Sequence, residues 1–254
     1  MRVRILGASG GIGGPALHTT AMLVDDDILI DAGTGVCRLS LDELARIDHV
    51  FITHSHLDHI ACLPLIGDSV GDQRATPLII YATGPTIAIL QKHIFNWAIW
   101  PDFTTIPSEQ PFVCFREIRL GQAVTLGSRT IAALPANHSV PAVGYHLDSG
   151  SASLVFSGDT SVCAEFWQEV NKISKLRYLI VETAFPNREL RLANESKHLC
   201  PSLLATALAW LRLAPELFIT HLKPGQQELI MRELGECIAQ YRPRMLLDNH
   251  VFEL

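Results

Sequence analysis

The stretch ITHSHLDHI, residues 52–60, places His54, His56, Asp58 and His59 within six residues. Imidazole nitrogens and carboxylate oxygens are the ordinary ligands of Zn²⁺ and related divalent ions. The apolar run HVFIT before them predicts a buried strand, so the four groups follow a strand's C-terminal end. In extended chain, residues two apart face the same way, so His54 and His56 can grip one ion. Asp58 and His59, one turn further on, can aim at a second. Two such ions about 3.5–4 Å apart can share a hydroxide and clamp the oxygens of a hydrolytic transition state. That chemistry suits phosphodiesters, thioesters and lactams alike.

The run His54-Ser55-His56-Leu57-Asp58-His59 resembles the H-x-H-x-D-H motif of the metallo-β-lactamase superfamily. Further along, LPANHSVPAVGY supplies His138, LVFSGDT supplies Asp159 and FITHLKP supplies His221; upstream, ILIDAGTG supplies Asp31. The resemblance spans nearly the whole chain and implies an α/β fold, the four-layered αββα sandwich, as one hydrolase domain over residues 1–254. It implies that His54, His56 and His138 hold one ion and that Asp58, His59 and His221 hold the other. Asp159 would bridge them, Asp58 would also count among the catalytic residues, and Asp31 would orient a ligand histidine. Asp rather than Cys at the bridging place favours the phosphodiesterase and thioesterase branches. The implied cofactors are two divalent ions, Zn²⁺ foremost, with Mn²⁺ and Fe²⁺ also compatible.

Three further segments, IVETAFPN (180–187), ESKHLCP (195–201) and THLKPG, together with the opening LGASGG and DAGTG, are similar to the class II cyclic nucleotide phosphodiesterases. That resemblance implies hydrolysis of 3′,5′-cyclic nucleotides, cyclic AMP foremost, to 5′-nucleotides, in a homodimer. The match departs at ACLPLIGDS, where Cys62 stands in place of the usual Gly or Ser and Pro64 follows. A leaving 3′-oxyanion needs a proton or a metal, and the His198 imidazole is a fit donor. Glu182, ending the strand-like YLIVE, can orient it; the tRNA 3′-processing endonucleases resemble this arrangement too. The other reading of His198 is a cap on the helix beginning near Pro201.

Gly7, Gly11 and Gly13 in RILGASGGIGG have the spacing of a dinucleotide fingerprint. Such a fingerprint must open a helix whose N-terminus meets the pyrophosphate. Here the glycines run into Gly14-Pro15 and a strand-like segment, and no tyrosine is followed by lysine four residues on. The loop Ser9–Gly14 is therefore expected to wall the substrate pocket, with Ser9, Gly10 and Gly11 offering backbone N–H groups to a phosphate.

The elements that must carry these groups alternate. Strands are expected at 2–6, in 20–33, at 49–55, 78–82, 152–160, 177–183 and 217–224. Helices are expected at 85–100, 164–175, 200–214 and 226–242. VCFREI, AVTLGS, RTIAALPA and VGYHLDS read as short antiparallel segments. Strands followed by helices in each half predict sheets inside and helices outside. HIFNWAIWPDF (93–103) gathers Phe95, Trp97, Trp100 and Phe103, to stack a purine, to face the core or to meet another subunit. His18, His49, His93, His146 and His250 lack motif context and read as ordinary surface or hydrogen-bonded residues.

The 254 residues are 48 % apolar, enough for a buried core, and carry a formal charge of −6. That charge disfavours general nucleic-acid binding, which needs basic surface, so a small-molecule substrate is expected. Six scattered cysteines without a C-x-x-C pair read as reduced, mostly buried thiols of a cytoplasmic protein. The N-terminus shows no apolar signal region, and no segment reads as a membrane span. Besides cyclic nucleotide hydrolysis, the motif leaves three alternatives: a tRNA 3′-end endonuclease, a glyoxalase II-like thioesterase, and a metal-free fold relative. No basic tRNA-holding arm and no basic C-terminal helices are evident.

Overall fold

A computed structural model describes residues 1–254. The first half of the chain lays down β1 (Arg2–Gly7), β2 (Ala21–Val24), β3 (Ile28–Ile30), β4 (His49–Phe51), β5 (Leu78–Ala82) and β6 (Val113–Glu117). The second half lays down β7 (Ala123–Leu126), β8 (Arg129–Pro135), β9 (Val143–Asp148), β10 (Ser153–Phe156), β11 (Leu176–Glu182), β12 (Glu216–Thr220) and β13 (Arg244–Met245). A last strand, β14 (Val251–Glu253), returns to pair with β1. The two seven-stranded sheets are ordered β14-β1-β2-β3-β4-β5-β6 and β13-β12-β11-β10-β9-β8-β7.

Side chains alternate between the faces of a strand, and here both faces are apolar. One face of each sheet meets the other sheet: Ile5, Met22, Ile30 and Phe51 pack with Tyr145, Phe156, Ile180 and Phe218. The outer face of the first sheet, including Leu29, Val50 and Ile80, is covered by α3 (Leu63–Val70) and α4 (Gly84–His93). Leu179, Val181, Leu217 and Ile219 on the second are covered by α5 (Ala164–Val170), α7 (Pro201–Leu208) and α8 (Gln227–Cys237). The order is helix, sheet, sheet, helix. Each fully buried Leu, Ile or Phe in these cores contributes roughly 1.5–3 kcal/mol of transfer free energy.

Several elements differ from the sequence expectation. VCFREI is not antiparallel: as β6 it runs parallel to β5 at the sheet edge, after the crossover through α4. The helix expected to reach Trp100 ends at His93. Asn96 Oδ1 accepts from the N–H groups of Ala98 and Ile99, offering the backbone a turn in place of the next helical bonds. Phe95 and Phe103 then enter the first sheet's outer core, while Trp97 is exposed. The three later helices also stop early, α5 at Val170, α7 at Leu208 and α8 at Cys237. The short helices α1 (Leu41–Ala45) and α6 (Leu190–Ser196), together with α3 and β14, lie in segments read without an element. Of the cysteines, Cys62, Cys163 and Cys200 are buried, whereas Cys37 and Cys237 are exposed, so burial is less general than expected. No helix is long and apolar enough to cross a membrane.

β3, β4 and β5 are mutually parallel, as are β10, β11 and β12. Two antiparallel steps, through β9, give β8 the same direction as β10. The strands that precede Asp31, His54, His138, Asp159 and His221 therefore end at a common edge of the sandwich, where crevices in α/β folds form. Tyr145 ties the sheets together behind that edge, its Oη donating to the Ile52 carbonyl at 2.8 Å. Tyr145→Phe leaves that buried carbonyl unpartnered and should lower unfolding free energy by about 1–2 kcal/mol, read from urea denaturation.

Candidate metal centre

His54 follows β4 in irregular chain, and His56, extended at ψ 147°, caps the short helix α2 (Leu57–Ile60). The expected loop is thus part loop and part helical turn, and the turn carries Asp58 and His59. The other three groups arrive from the second sheet. Three sets of potential ligand atoms lie within 4.8 Å of one another: His54, His56, His138 and Asp159; Asp58, His59, Asp159 and His221; and Asp159, Glu182 and His198. Asp159 is common to all three, and the first two sets hold the seven expected ligands. The seven residues singled out from the sequence are brought together, in the two groups that the resemblance implies.

The spacings suit ions. Ligand bonds of about 2.0–2.1 Å to a tetrahedral ion place ligand atoms about 3.3 Å apart. Here Asp159 Oδ2 lies 3.6 Å from His54 Nε2 and 3.3 Å from His59 Nε2. Asp159 Oδ1 lies 3.4 Å from His221 Nδ1, His221 Nε2 lies 3.7 Å from Asp58 Oδ2, and His138 Nε2 lies 3.1 Å from His56 Nδ1. His54 Nε2, His59 Nε2, both His221 nitrogens and Asp159 Oδ1 are buried with no hydrogen-bond partner. Such orphaned polar atoms are costly in an interior, and divalent ions relieve them, taking one of the two His221 nitrogens. The donor set of imidazoles and carboxylates accordingly fits two divalent ions.

The opposite ring nitrogens of His54, His59 and His138 are committed. Asp31 Oδ2 accepts from His59 Nδ1 at 2.7 Å, and both Asp31 oxygens accept from the Thr53 hydroxyl. Thr53 Oγ1 lies 3.0 Å from His54 Nδ1, and the Lys197 carbonyl accepts from His138 Nδ1 at 3.0 Å. These partners turn the free Nε2 atoms inward, as metal-site histidines require. Thr53 and the Lys197 carbonyl escaped the sequence reading. The first is visible only as the residue before the motif, and the second is a backbone group with no sequence signature.

Burial sets the protonation pattern. It lowers His54 well below the ordinary imidazole value, His138 to about 4 and His221 to about 3. Burial acts the same way on His59, but Asp159 and Asp31 outweigh it and hold that imidazole well above 6.5. Burial opposes ionisation of Asp159 too, yet the surrounding His221, His59 and His54 keep it well below the usual carboxylate range.

Beside the seven, His198 Nδ1 donates to Glu182 Oε1 at 2.8 Å. Glu182 also accepts from the N–H groups of Thr160, Ala184 and Leu199. Those bonds favour its anion against the burial that raises its pKa. Burial lowers His198, and Glu182 more than offsets this, so the imidazole titrates above 6.5. The His198 ring stacks on His221 at 5.3 Å and meets His138 edge-on at 4.9 Å. It does not cap α7, whose N-cap is Cys200 with no side-chain bond.

The glycine loop opens no helix. It lies against the centre: a Cβ on Gly10 would come within 2.3 Å of the His221 carbonyl, and Lys223 Nζ donates to the Gly10 carbonyl at 2.7 Å. Two of its expected free donors are taken, Ser9 N–H by the His18 carbonyl and Gly10 N–H by the Leu222 carbonyl. Ser9 is among the residues lining a cavity of about 290 Å³ with Leu17, Leu222, Leu246 and Asp248, and its Oγ is buried without a hydrogen-bond partner. A cleft of about 490 Å³ opens beside His138, between Thr83, Pro85, Asn137 and Ser139.

A family profile described as "Beta-lactamase superfamily domain" matches residues 26–222. This chain belongs to the β-lactamase superfamily. Within that superfamily it is 30 % identical over 158 residues to a protein of Yersinia pestis named "Probable 3′,5′-cyclic-nucleotide phosphodiesterase", covering 56 % of this chain and 44 % of that one. It is 25 % identical over 153 residues to a protein of Methanopyrus kandleri named "Ribonuclease Z", covering 58 % of this chain and 50 % of that one. The chain thus spans half or less of the length of these two relatives. The unliganded yeast PDE1 structure superimposes with a TM-score of 0.82 at 20 % identity, covering 100 % of this chain and 99 % of that one, which shows the shared metallo-β-lactamase fold.

An ion at His59 Nε2 must displace the proton that Asp159 and Asp31 favour. Metal affinity should therefore fall as pH drops through that raised value, beginning above 6.5, with proton release seen by calorimetry in buffers of different ionisation enthalpy. Asp31→Asn should weaken divalent-metal binding by about 10–100-fold in competition with a chromophoric chelator.

Proposed function

We propose that this protein is a metal-dependent phosphodiesterase that hydrolyses 3′,5′-cyclic nucleotides, cyclic AMP foremost, to 5′-nucleotides. His54, His56 and His138 would hold one divalent ion, Asp58, His59 and His221 the other, with Asp159 between them and Zn²⁺ the first candidate. Bound there, the ions supply Lewis acidity and a water of lowered pKa.

The observation that carries the reading is the His198–Glu182 pair set against His138 and His221. A metal pair alone does not choose among esters; the leaving group does. A thiolate departs readily as an anion, whereas a ribose alkoxide needs a proton. Glu182 fixes His198 Nδ1, which leaves His198 Nε2 to hold the proton and give it to the departing 3′ oxygen. Gly11 N–H, which has no partner in the protein, is the loop donor that remains for a phosphate oxygen. The net charge of −6 favours a small monoanionic substrate such as a cyclic phosphodiester over a polyanionic RNA. The names of the relatives support phosphodiester chemistry but divide between cyclic nucleotides and RNA.

The deciding experiment is a hydrolysis panel on metal-loaded protein with cyclic AMP, cyclic GMP, bis(p-nitrophenyl) phosphate, a tRNA precursor and S-lactoylglutathione. Cyclic nucleotides should turn over fastest; preferential cleavage of the tRNA precursor or of the thioester overturns the proposal. His198→Ala should cut kcat for cyclic AMP by about 10²–10⁴-fold and leave bis(p-nitrophenyl) phosphate, whose leaving group needs no proton, far less affected. Because His198 acts as an acid with a raised pKa, kcat should fall as pH rises through that value. Glu182→Gln should move this limb to lower pH, which a kcat–pH profile reads directly.

A further inference from the structure

Cys62 is where this chain departs from the motif it otherwise follows, and the metal cluster makes no use of it. It is the N-cap of α3, just after the turn that carries Asp58 and His59. Its buried sulfur lies 3.6 Å from that of Cys37, an exposed residue of the 3-10 turn Thr34–Arg38. A disulfide bond is about 2.05 Å long, so closure needs roughly 1.5 Å of sulfur movement. Cys114, Cys163 and Cys200 make their side-chain contacts to oxygen instead.

Both thiols sit on segments held in place. Val36 and Leu39 flank Cys37 in the core, and Arg38 Nη1 donates to Asp248 Oδ2 at 2.8 Å. Cys62 N–H donates to the Ala32 carbonyl at 2.9 Å, and Ala32 N–H donates to the His59 carbonyl at 2.7 Å. The two sulfurs thus meet between the segment that presents Asp31 and the helical turn that presents Asp58 and His59.

We infer that Cys37 and Cys62 form a reactive dithiol. Cys37 takes up a thiol from a small disulfide such as oxidised glutathione, and Cys62 resolves the adduct into a Cys37–Cys62 disulfide that cross-links the support of the metal-binding loop. In the first step the Cys37 thiolate attacks one sulfur of glutathione disulfide, that S–S bond breaks, and the departing glutathione takes up the proton lost by Cys37. In the second, Cys62 gives up its proton and attacks Cys37 Sγ. The mixed disulfide breaks and a second glutathione leaves with that proton. Two cysteine thiols are oxidised by two electrons while one disulfide is reduced to two thiols. The order follows from exposure: burial, with Cys37 alongside, pushes the Cys62 thiol up to about 12, and only Cys37 meets a dissolved disulfide.

The test uses the full chain carrying Cys237→Ser, since Cys237 is also exposed. Reduced protein is incubated with oxidised glutathione under native conditions, then measured by thiol titration in denaturant, intact mass and peptide mapping. Two thiols should be lost, no glutathione retained, and the peptides bearing Cys37 and Cys62 recovered cross-linked. Adding Cys62→Ser should stop the reaction at one glutathione on Cys37; Cys62→Ala serves the same purpose if serine at this buried place impairs folding. Survival of every thiol, or a glutathione adduct on Cys37 that persists with Cys62 present, overturns the inference.

Discussion

The Asp159 carboxylate, buried and faced by His54, His59 and His221 with no hydrogen-bond partner on Oδ1, is the constraint around which the rest is arranged. A buried carboxylate is expensive to hold inside a protein, and here the facing imidazoles, His59 above all, offset part of that cost. It persists because five strands deliver these groups to one edge and the packed sheets behind them leave little room to relax. The backs of the His59, His54 and His138 rings are saturated by Asp31, Thr53 and the Lys197 carbonyl, so their unsatisfied atoms point inward and can be relieved by divalent ions. His221 itself has φ of +63° and Asp31 φ of +57°, sparsely populated values for residues with a Cβ. That two residues of the constellation adopt them fits a centre over-determined by its surroundings.

Electrostatics divides the labour. The ligand histidines His54, His138 and His221 are pushed toward the neutral form by burial, the form a metal needs. His198, only a ring away, is pushed the other way because Glu182 faces it with a carboxylate fixed by three N–H donors. One small region therefore keeps imidazoles of opposite protonation, a separation that acid–base chemistry depends on. The Cys37–Cys62 contact lies behind the same turn, within the network that holds Asp31 and His59.

Much of this was legible in the chain. The ligands at 54–59 stand out because they are neighbours in sequence, and local spacing suffices to show that they share a site. Asp31, His138, Asp159 and His221 were picked out by the resemblance that the 54–59 motif carries, each at the end of an apolar strand-like run, where α/β folds place their chemistry. Helix ends were read poorly, since Asn96 stops α4 through its own side chain at a point where apolar periodicity continues. The parallel direction of VCFREI was missed for a related reason: alternation of apolar residues specifies a strand but not its partner.

Residue types and their order along the chain thus determined the layered fold and pointed, through the family resemblance, to the imidazoles and carboxylates that gather at one edge. Only the tertiary structure decided the rest. It bonded His198 to Glu182 rather than to a helix end, chose the inward nitrogens, tied the Ser9 N–H to the His18 carbonyl, and set two cysteines 25 residues apart in contact. Sequence carries the chemistry of single side chains and the period of local elements. Which atoms meet depends on strand order, register and backbone carbonyls, and those exist only once the sheets have packed.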